Sequence, residues 1–118
     1  MKMRIQSNVI RFRLNRREVE QLSMSGRVSD SIQFPGGAAL TYAVELTPGA
    51  TEIEATYRAG EICLRAPQEL AQRWAETDQT GITANRAGLE IVLEKDFQCL
   101  HKATADSDAF PNPLAVSS

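Results

Sequence analysis

No run of apolar residues in this chain is longer than three. That excludes a membrane-spanning helix, which needs about twenty, and it excludes the apolar core of a secretory signal. Positive charge is not in excess. Thirteen Lys and Arg face fifteen Asp and Glu, for a net charge of −2, which argues against a general nucleic-acid binder. Cysteine is scarce. Cys63 and Cys99 form neither a C-x-x-C pair nor a zinc pattern, so they read as two reduced thiols in a cytoplasmic protein. Aromatics make up only 6%, with a single Trp. There is no glycine-rich phosphate loop, because Pro35-Gly36-Gly37 reads as a turn. No internal repeat or low-complexity tract stands out.

What remains is an ordinary globular composition. The chain has 118 residues, 42% of them hydrophobic and 24% charged. One domain of this size buries roughly two-thirds of the surface its unfolded chain exposes.

Periodicity supplies the elements. Ile10, Phe12 and Leu14 alternate with Arg11 and Arg13, which is strand rhythm, and Ser7–Asn8 marks a turn or bulge before them. Asn15 with Glu18 three residues on is a capping box, and Gly26 suits a left-handed stop. A helix is therefore expected over residues 16–25. Val28, Ile32 and Phe34 mark a strand. Leu40, Tyr42, Val44 and Leu46 mark the clearest one. A turn at Thr47-Pro48-Gly49-Ala50 then leads to Ile53, Ala55 and Tyr57. A second turn at Ala59-Gly60 leads to Ile62 and Leu64, and the pattern predicts a β-meander. Pro67 opens a second helix over 67–76, anchored in the core by Trp74. Strands at 80–84 and from Leu89 onward follow. Residues 103–118 read as an extended tail after a domain of residues 1–102.

The order of elements predicts an α+β fold. Its centre is a mainly antiparallel sheet of five to seven strands, flat or curled into a half-barrel, with two short helices packed on it. The expected core is Ile10, Phe12, Leu14, Val19, Leu22, Leu40, Tyr42, Val44, Ile53, Tyr57, Ile62, Leu64, Leu70, Trp74, Leu89, Ile91 and Leu93.

Candidate chemistry falls in two places. Arg4, Arg11, Arg13, Arg58 and Arg65 share strand polar faces with Glu45, Glu54 and Glu94. On an open sheet these form a solvated face. On a curled sheet they line a cavity that suits an anionic small molecule such as a nucleotide or triphosphate, with arginine forks clamping its oxygens. The first seventeen residues carry Lys2, Arg4, Arg11, Arg13, Arg16 and Arg17 and no acid, and that asymmetry points the same way. The second place is the C-terminal stretch. Asp96, Asp106 and Asp108 are the candidate ligands for a divalent cation such as Mg²⁺ or Ca²⁺, although Asp106-Ser107-Asp108 lacks the glycine and distal glutamate of a calcium loop. Cys99 and His101 lie about 6–7 Å apart on a strand, too far for a nucleophile–base pair. No catalytic set is complete and no cofactor is predicted.

Two blocks resemble a known family. Lys2-Met3-Arg4-Ile5-Gln6-Ser7-Asn8-Val9-Ile10-Arg11-Phe12-Arg13-Leu14 and Leu93-Glu94-Lys95-Asp96-Phe97-Gln98-Cys99-Leu100 resemble segments of a small bacterial family of uncharacterised activity. The resemblance spans nearly the whole chain and implies a bacterial, cytoplasmic protein. The alternating charges also resemble the strands of triphosphate-tunnel enzymes. The Glu-x-Glu-x-Lys signature of those enzymes is absent, so no residue roles carry over. The leading expectation is a small binding or protein-interaction module, with a homodimer joined through a sheet edge or the tail as one form of it. The alternative is a phosphate-ligand protein or metal-dependent hydrolase using the charged strand faces.

Overall fold

Eight strands and two helices form along the chain in the computed structural model, which describes Met1–Phe97. They are β1 (Lys2–Gln6), β2 (Val9–Leu14), α1 (Arg16–Ser25), β3 (Arg27–Gln33), β4 (Ala39–Thr47), β5 (Glu54–Arg58), β6 (Glu61–Pro67), α2 (Gln68–Glu76), β7 (Gly81–Arg86) and β8 (Leu89–Lys95). The predicted boundary near residue 102 and the tail beyond it lie outside the described residues.

The helices form where local chemistry demands. The Asn15 side chain accepts from the Glu18 amide at 2.9 Å, and the Glu18 carboxylate accepts from the Asn15 amide at 2.9 Å. Two donors that the first turn leaves free are thereby satisfied. Gly26 ends α1 at φ +83° and donates to the Leu22 carbonyl, a conformation costly for residues with a Cβ. Pro67 precedes α2 as its N-cap.

The strands make two four-stranded sheets, ordered β1-β2-β8-β7 and β3-β4-β6-β5. The architecture is α+β, as expected, but the sheet differs in three ways. There are eight strands rather than five to seven. They divide into two open sheets rather than one sheet curled into a half-barrel. Each sheet is mixed, because its two central strands run parallel: β2 with β8, and β4 with β6. The predicted meander is also replaced. β5 does not lie beside β4. The chain passes from β4 to the far edge and returns, so that β6 slots between them. Side-chain alternation reports which face a residue occupies and says nothing about which strand lies alongside.

The topology contains a repeat that the sequence hides. The order β-β-α-β-β occurs twice, as β1-β2-α1-β3-β4 and as β5-β6-α2-β7-β8. Each unit gives its first hairpin to one sheet and its second to the other. The match is positional. Lys2↔Arg13 pairing recurs as Glu54↔Arg65, and Arg4↔Arg11 recurs as Thr56↔Cys63. Ile10, Phe12 and Leu14 correspond to Ile62, Leu64 and Ala66, while Val19 and Leu22 correspond to Ala71 and Trp74. Most of these residues are buried in one core drawn from both sheets and both helices. Even the tight turns agree, with Ser7 at φ +49° and Ala59 at φ +52°. What persists between the units is the apolar character of the inward positions, while side-chain size varies from pair to pair and is balanced within the shared core.

The expected core is largely present. Tyr57 departs from it, at 72% exposed, because it sits on the edge strand β5 with no neighbour on its open side. Leu40, Tyr42, Ile62, Leu70 and Leu89 are half-buried. Ala43 and Val92 are buried on the outward faces of β4 and β8, where an alternation argument expects exposure. Both sit at the middle of a central strand, with a paired strand on either side.

Trp74 is fully buried, its Nε1 donates to the Thr80 carbonyl at 3.1 Å, and the Lys95 ammonium lies 5.9 Å from its ring centroid. Trp74→Ala is expected to cost about 3–5 kcal/mol in urea unfolding. A loss below about 1 kcal/mol contradicts this account of the core.

Candidate functional site

Because the inner faces supply the core, the charged strand residues must sit on the outer faces. β2 turns Ile10, Phe12 and Leu14 inward, so Arg11 and Arg13 turn outward. The register then places Arg4 opposite Arg11 and Glu94 beside Arg13. In the other sheet, Glu45 and Glu54 flank Arg65 on either side, and Arg58 is opposite Glu61. The eight charged residues singled out from sequence therefore divide in two. Arg4, Arg11, Arg13 and Glu94 gather on the outer face of β1-β2-β8. Glu45, Glu54, Arg58 and Arg65 gather on the outer face of β4-β6-β5. They line no common cavity.

Ion pairs occupy much of both faces. Glu94 accepts from Arg13 Nε at 2.6 Å and from Arg11 Nη1 at 3.4 Å. Lys2 Nζ lies 2.9 Å from Asp96. That places one of the three candidate metal ligands in an ion pair, while Asp106, Asp108, Cys99 and His101 lie outside the described residues. Among the described residues, no three His, Cys, Asp or Glu side chains gather as a metal site. On the second sheet Arg27, which sequence reading passed over, holds Glu45 at 2.9 Å and Glu61 at 3.0 Å. The Glu61 hydrogen bond is the main reason its guanidinium binds its proton more tightly than usual. Arg86, from β7, reaches across to Glu52 and to Glu54 at 3.2 Å, tying the edges of the two sheets together.

Cys63 is the outward residue of β6 between Glu61 and Arg65, yet it is only 7% exposed. Burial is the largest influence pushing its thiol pKa up, and Glu45 adds to it. It is a poor nucleophile in this setting. Tyr42 is likewise pushed up, first by burial and then by Asp30.

Three concave places stand out. One, of about 370 Å³, is lined by Arg4, Gln6, Ser7, Val9, Arg11 and Glu90. Its counterpart in the repeat, of about 360 Å³, includes Thr56, Arg58, Ala59, Glu61 and Cys63. The third is an apolar groove of about 380 Å³ where the starts of the central strands converge. It is lined by Ile10, Leu40, Ala55, Thr56, Tyr57, Ile62 and Leu89. Sequence reading assigned Ile10, Leu40, Tyr57, Ile62 and Leu89 to a closed core. The pairing of the two sheets, invisible in the sequence, leaves this part of the core open.

No described helix is long and apolar enough to cross a membrane. The molecule is thus a duplicated ββαββ protein of two mixed sheets, with charged outer faces and an apolar groove on its inner side. Residues 1–114 match a family of unknown function, DUF7009, and the chain belongs to that family. No curated protein and no solved structure matches it.

The buried thiol gives a direct check. With Cys99→Ser in place, Cys63 is expected to react with iodoacetamide at pH 8 at least about tenfold more slowly in the native protein than in urea. Comparable rates in the two conditions contradict the placement of Cys63.

Proposed function

We propose that this chain is a non-catalytic interaction module that pairs with a second copy of itself through the apolar groove, in a reducing, cytoplasmic setting. The supporting observation is the patch around that groove. Its lining carries no charge. Large apolar side chains stand exposed in and beside it: Tyr57 at 72%, Ile5 at 60% and Ile32 at 49%. Ile5 is the register partner of Ile10, Ile32 of Leu40 and Tyr57 of Ile62, so the exposed residues extend the groove rather than lie scattered. Contiguous apolar surface of this kind marks interaction sites on small proteins.

The repeat favours a copy of the same chain as the partner. Ile10 corresponds to Ile62, Ile5 to Tyr57 and Leu40 to Leu89, so each side of the groove mirrors the other in kind. A surface that already matches itself under a half-turn is suited to an isologous dimer, in which one patch meets its own image. A hydrolase acting through the charged strand faces has less support, because those residues are divided between two outer faces, and Glu94, Glu45 and Glu54 are each taken up in ion pairs with arginines.

Sedimentation of the purified protein is expected to show a concentration-dependent dimer. Tyr57→Glu or Ile5→Glu is expected to shift it to monomer and to abolish the concentration dependence of the melting temperature, with the far-ultraviolet circular dichroism unchanged. A chain that stays monomeric at every accessible concentration overturns the proposal.

A further inference from the structure

The two first hairpins of the repeat have the same backbone and opposite electrostatics. In β5-β6 the outermost rungs join acid to base, with Glu54 opposite Arg65 and Arg58 opposite Glu61. In β1-β2 the equivalent face joins base to base, with Lys2 opposite Arg13 and Arg4 opposite Arg11. Like charges directly opposite on a sheet are destabilising. The second hairpin shows that this fold does not require them.

The neighbouring strand β8 compensates only in part. Glu94 is beside Arg13, Val92 beside Arg11 and Glu90 beside Val9. Glu94 serves Arg13 closely, and Arg11 only at 3.4 Å to each of its oxygens. Asp96 serves Lys2. Arg4 makes no ion pair among the described residues, and its side chain lines the 370 Å³ groove together with Arg11, Gln6, Ser7, Val9 and Glu90. The Arg4–Arg11 rung is thus a pair of opposed arginines of which the Glu94 carboxylate reaches Arg11 alone, and it shares itself with Arg13.

We propose that Arg4 and Arg11 form a binding site for a single phosphate-monoester group on the outer face of the β1–β2 hairpin. Two forked guanidiniums on opposed strands match the oxygens of a tetrahedral dianion. The Ser7 hydroxyl and Gln6 amide line the same groove as further hydrogen-bond donors. Glu90 lines the same groove and limits the negative charge that it accepts, so the site takes one phosphate group and not an oligophosphate chain. In the repeat, the positions of Arg4 and Arg11 are Thr56 and Cys63, so the second hairpin has no such site. The site lies on the opposite face of its sheet from the apolar groove and does not depend on dimer formation.

The test is calorimetric and NMR titration of the full chain at low salt with inorganic phosphate, a nucleoside monophosphate, pyrophosphate and acetate. Phosphate and the monophosphate are expected to bind saturably, shifting the Arg4 and Arg11 signals. Pyrophosphate should bind no more tightly, and acetate should not bind. Arg4→Ala and Arg11→Ala should each weaken phosphate binding about tenfold or more, whereas Arg58→Ala in the equivalent groove should leave it unchanged. Without phosphate, Arg4→Ala should melt at a slightly higher temperature, because a like-charge contact is removed. Absence of saturable phosphate binding overturns the site. So does phosphate binding that survives both substitutions, which marks an adventitious ion only. Tighter binding of pyrophosphate overturns the single-phosphate assignment.

Discussion

The structure depends on two parallel strand pairings, β2 with β8 and β4 with β6. Each hairpin on its own is a two-stranded ribbon, which is at best marginally stable in water. The parallel pairings join four such ribbons into two sheets, and each joins a strand of one repeat unit to a strand of the other. The helices then have two apolar faces to pack between. Val19 and Leu22 of α1 and Ala71 and Trp74 of α2 enter the same core as Phe12, Val44, Leu64 and Leu93. Neither unit builds a sheet larger than a hairpin without its twin.

Local features were legible in the sequence because local chemistry decides them. The Asn15–Glu18 capping box, the Gly26 stop, the turn at Ser7–Asn8 and the inward set of Ile10, Phe12 and Leu14 all follow from neighbours a few residues away. Strand partnership was not legible, because it is settled by residues far apart in the chain. Arg11 lies beside Val92 and Thr41 beside Glu61, and no spacing within either segment reveals those pairs. The duplication was hidden for a related reason. Phe12 and Leu64, or Leu22 and Trp74, share a place in the core and an apolar character but not a letter or a size, so the repeat leaves no matching residues to read. The same applied to the candidate site. Its arginines and glutamates were identified individually, but only the sheet order shows that they divide between two faces. Only the register shows that Arg4 confronts Arg11.

The two sheets also show how a duplicated scaffold diverges. Their inner faces have been held to one standard, since both feed a common core. Their outer faces have separated. One hairpin sets acid opposite base in its register, buries the Cys63 thiol and is met by Arg27 as a clamp on Glu45 and Glu61. The other concentrates positive charge and leaves part of it unmatched. The groove lies where the demand on the inner faces relaxes, at the strand starts farthest from the helices that follow β2 and β6.

The sheet order has a consequence for biosynthesis. β8 is the last described strand made, yet it fills the place beside β2, which is made about eighty residues earlier. Until Lys95 has emerged, one side of β2 presents unpaired amides and carbonyls along with Phe12 and Leu14. That is an exposed template for mispairing with another nascent chain. The cluster of arginines on this strand keeps such encounters mutually repulsive during the wait, a benefit to the growing polypeptide that is separate from anything the finished molecule binds.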